Sequence, residues 1–371
     1  MNTQAYSTWL EIDLGAIKNN IQQIKAMTQT QVMAVIKANG YGHGVLESAR
    51  AAIDAGATWC GVARMEEALN LRKAGLTCEV MVLGYTPPIR VPEAIEQDIH
   101  VAIYDVQMAR AYAAQARGVE GQLKAHLKVE TGMGRLGMPP GKVPDFLAEY
   151  QKDAQIDISG IFTHFARADE PSSGAAEKQL AIFKSLLKEL EARSLHPGLV
   201  HAANSAAVIN FPQSYFDLVR PGIAIYGLDP SQETPLPEGF RSALTWKARL
   251  TSVRRLPPGH GVSYGSIYVT SGEERIGVIP VGYGDGFRRL SGQQALCRGQ
   301  RVKVVGRVCM DQSMLQLDGV PEASAGDEVV LLGAQEGERI TAEELAERWG
   351  TLNYEVVCGL ADRLPRVYFN A

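Results

Sequence analysis

The chain has 371 residues, 46% of them hydrophobic and 21% charged, which are the proportions of a globular protein with room for about two domains. With 37 Lys+Arg against 41 Asp+Glu the formal net charge is −4, so no basic face is expected for nucleic acid or a membrane surface. No apolar run approaches the roughly 18 residues of a spanning helix, MNTQAYSTWLEID lacks the pattern of a signal peptide, and the five cysteines are scattered, odd in number and never spaced C-x-x-C; a cytoplasmic protein without a disulfide framework or structural zinc is expected.

In chain order, Asp13 is placed to cap a first helix whose apolar stripe is Leu14, Ile17, Ile21 and Ile24, at spacings of three and four. Short apolar runs then alternate with amphipathic segments such as VLESARAAIDAG. The runs are 31–36, 59–63, 79–85, 100–104, 123–130, 157–165, 199–204 and 219–227. Eight β/α units in roughly 215 residues match a (β/α)8 TIM-type barrel, with an open doubly wound sheet as the other arrangement the periodicity allows. DPSQETPLPEG, 229–239, carries three prolines and reads as an interdomain linker. Beyond it the runs ALTWKARLTSVRRL, RIGVIPVGYG, RVKVVGRVCM and DEVVLLG predict a mostly β C-terminal domain. Its short helix, TAEELAERWG, has Thr341 and Glu344 in capping-box spacing. The expected division is 1–235 for the barrel and 236–371 for the β domain, with the first ten or so residues available to pack on the latter.

Barrel active sites form where strands end. Lys37 and Tyr41 follow the first strand, Arg135 the fifth, His164 the sixth, Asn204 and Ser205 the seventh, and Arg220 lies on the eighth beside the amides of Gly222 and Ile223. Each has a plain structural alternative. A strand-end lysine snorkels to water or pairs with a carboxylate; His164 can be a bonded core residue, Ser205 part of a helix cap, Arg220 half of a buried ion pair. Gly132, Gly134 and Gly137 satisfy G-x-G-x-x-G, but Pro139 and Pro140 follow where a dinucleotide-binding helix would continue. His43 lacks further ligands at metal spacing, so no metal is expected.

A lysine, phosphate donors and a strong cation in one barrel mouth suit pyridoxal 5'-phosphate, whose aldehyde condenses with an amine as a Schiff base. AVIKANGYGHG, ETGMGRLGM, THFARAD, HAANSAA, VRPGIAIYG, GHGVSYGS, VGYGDG, GRVCMDQ and NYEVV, in this order, resemble the motifs of alanine racemases over nearly the whole chain. Gly40 and Gly284 stand where that family often has alanine.

The resemblance implies a cytoplasmic homodimer that interconverts L- and D-alanine for peptidoglycan. It implies pyridoxal phosphate on Lys37, with Lys37 and Tyr264 as bases on opposite faces of the substrate, and Tyr264 reaching the partner's barrel. It further implies a Tyr264–His164–Arg220 chain, Arg220 facing the pyridine nitrogen, and Tyr41, Asn204, Ser205, Gly222, Ile223 and Tyr354 around the cofactor. Arg135, Met310, Asp311 and Tyr283 would meet the substrate or its entry path, and Lys128 matches a lysine often carbamylated. Open beside this reading are a serine or broad-specificity racemase, a barrel-type decarboxylase and a non-catalytic pyridoxal-phosphate-binding barrel protein. The decarboxylase pairs the ring nitrogen with a carboxylate, and the binding protein lacks a β domain.

Overall fold

The computed structural model describes residues 3–370 and divides into two compact units. One holds 16–40 and 45–241; the other holds 3–15, 41–44 and 242–370. The chain opens on β1 (Thr8–Asp13), which belongs to the second unit.

The first unit is a closed barrel of eight parallel strands: β2 (Gln31–Val35), β3 (Trp59–Val62), β4 (Glu79–Val82), β5 (Ile99–Ile103), β6 (Leu123–Lys128), β7 (Ile156–Phe162), β8 (Leu199–His201) and β9 (Leu218–Val219). Closure is made by β9 on β2, with Val219 beside Val32, which rules out the open sheet. Strands buried on both sides read as largely apolar runs, as β2 to β4 do, while β6 (LKAHLK) and β7 (IDISGIF) admit polar residues. Alternation still shows in the packing: Met33, Trp59, Met81, Ala102, Phe162 and Leu218 fill the interior as one cluster. The stripe Leu14, Ile17, Ile21 and Ile24 is buried on a helix over Leu14–Thr28.

Each strand stops earlier than its apolar run, most of all the last. Expected over 219–227, it ends at Val219, because Pro221 has no N–H to continue the ladder. Gly222 and Ile223 therefore lie outside the strand, Ile223 opening a 3-10 turn over Ile223–Tyr226. The proline-rich segment is pinned to the barrel unit: Thr234 is buried, its hydroxyl bonded to Asn210 and the Asp169 carbonyl.

The second unit adds β10 (Leu244–Arg249), β11 (Ser252–Leu256), β12 (Gly261–Val262), β13 (Tyr268–Val269), β14 (Glu274–Ile279), β15 (Gln294–Cys297), β16 (Gln300–Val305), β17 (Ser313–Gln316), β18 (Glu328–Gln335), β19 (Glu338–Ile340) and β20 (Arg366–Phe369). Its large sheet runs β11-β14-β17-β16-β15-β18-β10-β1-β20, with β19 on β18. β1 is antiparallel to β10 and parallel to β20, so the first and last strands are stitched into one sheet. Trp9, Leu10 and Ile12 are fully buried there, worth about 2 kcal/mol each by area removed from water. Thr341 caps the helix Ala342–Trp349 by accepting from the Glu344 amide at 3.1 Å. A further helix, Asn353–Cys358, was not expected from the sequence.

Candidate active site

Candidate site residues occur in both units. In the barrel unit the strand ends face the same way, and the expected polar residues follow them. Lys37 comes two residues after β2 and is half-buried. The backbone then takes a left-handed turn: Ala38 (φ 53°, ψ 53°), Asn39 (φ 54°, ψ 46°), Gly40 (φ 62°, ψ 44°) and Tyr41 (φ 51°). Three of the four are not glycine, and such consecutive left-handed residues are sterically costly. The turn is held at its first and second residues: the Ala38 amide donates to Glu67 Oε1 at 2.7 Å, and Asn39 Oδ1 accepts from the Val45 amide at 3.0 Å. Glu67 Oε2 also accepts from the amides of Ala63 and Arg64, at 2.7 and 3.1 Å, at the end of β3. Sequence reasoning passed over Glu67, because Ala38, the partner that ties it to Lys37, lies 29 residues away in the chain.

Arg220 is buried, and neutral acceptors surround it. Its Nη2 donates to the carbonyls of Thr163 and Ala202, at 2.8 and 3.0 Å, and lies 3.3 Å from His164 Nδ1; its Nη1 lies 2.9 Å from His201 Nδ1. Among the described residues no carboxylate is in ion-pair distance, so the buried-ion-pair alternative fails. Burial pulls its pKa down to about 9, which still leaves it charged at neutral pH. The guanidinium lies over the Phe162 ring at 5.3 Å, and Phe162 stacks on His201. Burial, and then the charge of Arg220, hold His164 and His201 well below the ordinary histidine pKa, so both are neutral. His201 passes the chain inward to His126 at 2.8 Å, a pair the sequence did not single out.

Lys128, at the end of β6, has its pKa pulled to about 8 by burial and by the cations Arg135, Arg220 and Lys37. The mouth thus gathers positive charge. The nearby carboxylate Glu130 is already engaged: it accepts from the amides of Gly132, Met133 and Gly134 at 2.5 to 2.9 Å. The G-x-G-x-x-G loop is folded around its own anion and is not a nucleotide cradle. Exposed Arg135 follows in that loop.

Asn204 caps the helix Ser205–Asn210 by accepting from the Ala207 amide at 3.0 Å. Ser205 is buried, and its hydroxyl oxygen accepts from the amides of Gly222 and Ala224, at 2.8 and 3.3 Å. The Gly222 amide, read from the sequence as a phosphate donor, is therefore spent inside the protein.

In the second unit, Tyr41 and Tyr354 pack with ring centroids 6.2 Å apart; burial, reinforced by Tyr354, holds the Tyr41 phenol well above its ordinary pKa. Tyr264 stands in the turn Tyr264–Ser266 between β12 and β13, preceded by Ser263 at φ 65°, and is 71% exposed. Tyr283 and Met310 occupy two loops zipped by backbone bonds, Tyr283 to Cys309 at 3.0 Å and Gly284 to Met310 at 2.9 Å. Beneath them Arg363 joins buried Asp285 to Asp311, at 2.7 and 2.8 Å. Neither Asp285 nor Arg363 was expected at a site. A Cβ at Gly284 would stand 2.7 Å from the Arg363 guanidinium, the movable end of that side chain.

Two family models match, described as the N-terminal domain of alanine racemase over residues 12–230 and its C-terminal domain over 243–368. An alanine racemase from Symbiobacterium thermophilum is 43% identical, covering 97% of each chain. Among solved structures, that of alanine racemase from D-cycloserine-producing Streptomyces lavendulae has 39% identity and a TM-score of 0.93, covering 98% of this chain and 97% of that one. The one from E. faecalis has 38% identity and a TM-score of 0.94, covering 98% and 99%.

Proposed function

This chain belongs to the alanine racemase family over nearly its whole length, and from that premise we propose that it interconverts L- and D-alanine with pyridoxal 5'-phosphate held on Lys37. The observation that carries the reading is the cation-rich barrel mouth, where a charged Arg220 is supported by neutral acceptors beside Lys37 and Lys128. That donor set fits the cofactor: an amine for its aldehyde carbon, a donor-only group for its ring nitrogen, and a cation-rich surround for its phosphate. Lys37 and Arg220 would hold the two ends of the ring, with Tyr41, Asn204, Ser205, Ile223 and Tyr354 about the phosphate. When bound, pyridoxal phosphate makes the α-proton of an attached amino acid acidic enough for a side chain to remove.

The chain's own groups then do the proton work. Inverting a centre requires a proton to leave from one side and return on the other, and two bases across the substrate are the simplest arrangement. The Lys37 amine serves one side, and the phenol oxygen of Tyr264 from a second copy serves the other. His164 is neutral, with Nδ1 turned toward Arg220, which leaves Nε2–H as the donor that can stabilise a phenolate. Arg220 offers the ring nitrogen only N–H donors and no proton acceptor, which argues against the carboxylate chemistry of a decarboxylase. Arg135 is suited to the substrate carboxylate, and Lys128, once carbamylated, to orienting Arg135. Tyrosines at 264, 283 and 354 with Met310 leave room for a methyl side chain, which favours alanine over larger substrates. A cytoplasmic homodimer supplying peptidoglycan is the setting that accords with this.

The direct test is reduction of the purified protein with borohydride, then peptide mapping. The reduced cofactor should sit on the Lys37 peptide, Lys37→Ala should lack it, and L-alanine in deuterated water should become racemic with one deuterium at Cα. A colourless protein that takes up no pyridoxal phosphate would refute the proposal.

A further inference from the structure

We infer that Glu67 is a positioning residue for Lys37, acting through the left-handed turn that follows it; this rests on the reading of Lys37 given above. Ala38, Asn39 and Tyr41 all sit in the region of positive φ that side chains with a Cβ resist. Left to local preference, the segment would relax and carry Lys37 with it, since the Ala38 peptide is bonded directly to Lys37. Something must hold the turn, and a half-buried carboxylate does. Oε1 accepts from Ala38 and Oε2 from Ala63 and Arg64, so one side chain bridges the end of β2 to the end of β3. All three are charge-assisted bonds at 2.7 to 3.1 Å. Two of the three bonds also belong to the start of the helix Met65–Lys73, so a capping role must be separated from a positioning one.

Three variants separate them in the holoenzyme. Glu67→Gln keeps the shape but offers a single acceptor oxygen, and its amide group opposes at least one N–H donor. Glu67→Asp keeps the charge at the helix start but is one methylene too short to span to Ala38. Ala38→Gly lowers the steric cost of the turn. The readout is the rate at which hydroxylamine strips pyridoxal phosphate from Lys37, followed by absorbance, with Tm as the structural control. Both Glu67 variants should lose cofactor about tenfold to a hundredfold faster than the parent, and Ala38→Gly should restore much of the retention in the Glu67→Gln background. A folded Glu67 variant with parental retention would overturn the inference, as would faster loss that Ala38→Gly does not relieve. Failure of both variants to fold would overturn it too, by making Glu67 a structural cap first. If the parent itself holds no cofactor, it is the assignment of Lys37 that fails.

Discussion

The amine of Lys128 lies chiefly among cations, with Glu130 opposing them only in part, and the consequence can be read as a function of pH. Burial, then Arg135, Arg220 and Lys37, lower its pKa from 10.5 to about 8. A lysine whose folded-state pKa is lowered destabilises the fold while both states are protonated, below about pH 8. That penalty shrinks as pH rises from 8 toward 10.5 and is absent above. In protein freed of cofactor, Lys128→Met should therefore raise Tm at pH 7, with the gain fading by about pH 10. A gain equal at both values would show that packing, and not titration, is responsible. The same shift leaves part of the amine neutral near pH 7.5, the form that adds to carbon dioxide: a N–C bond forms as one C=O π bond opens, one proton leaves, and the neutral amine becomes an anion beside Arg135. Intact-mass measurement in bicarbonate should find one labile carbon dioxide adduct in the parent and none in Lys128→Met.

Among the elements, the loop after β6 makes the sharpest demand on its sequence. Gly137 has φ 142°, and a Cβ there would stand 2.5 Å from the Glu130 backbone nitrogen. Gly137→Ala should cost about 3 kcal/mol in denaturant unfolding, and should raise KM for alanine, because Arg135 rides on the same loop; a loss below 0.5 kcal/mol, as for a surface substitution, would mean the loop is not held as described. The eight barrel strands were legible because strands buried on both faces need largely apolar runs, from Val32 through Val219, even where β6 and β7 interrupt them with polar residues. Their ends were less so. Pro221 stops β9 by backbone accounting that apolar character does not express. The helix Asn353–Cys358 is too short for its buried Val356 and Val357 to show a 3.6 period. Lys37, Arg220 and His164 could be found by their place at strand ends. Glu67 and Arg363 could not, since each acts on residues that only the folded chain brings near: Ala38 for one, Asp285 and Asp311 for the other.

For the whole molecule the question is where Tyr264 works. The residue is 71% exposed in a single chain, on a hairpin that also exposes Ile267 and Val269. A strained turn that displays a tyrosine among apolar side chains is poorly explained by a solvent role, and it suits a surface completed by a second copy. If each site takes Lys37 from one protomer and Tyr264 from the other, Lys37→Ala and Tyr264→Phe homodimers are each inactive for different reasons. After exchange, a heterodimer has one site that lacks both groups and one that retains both. Random reassortment of equal amounts makes about half the dimers mixed, so activity should recover to about a quarter of the parental value. If both groups came from the same protomer, every site in the mixture would carry one lesion and nothing would return. Differently tagged subunits establish that heterodimers have formed, so absence of recovery in their presence would reject the shared site and leave the assignment of Lys37 untouched.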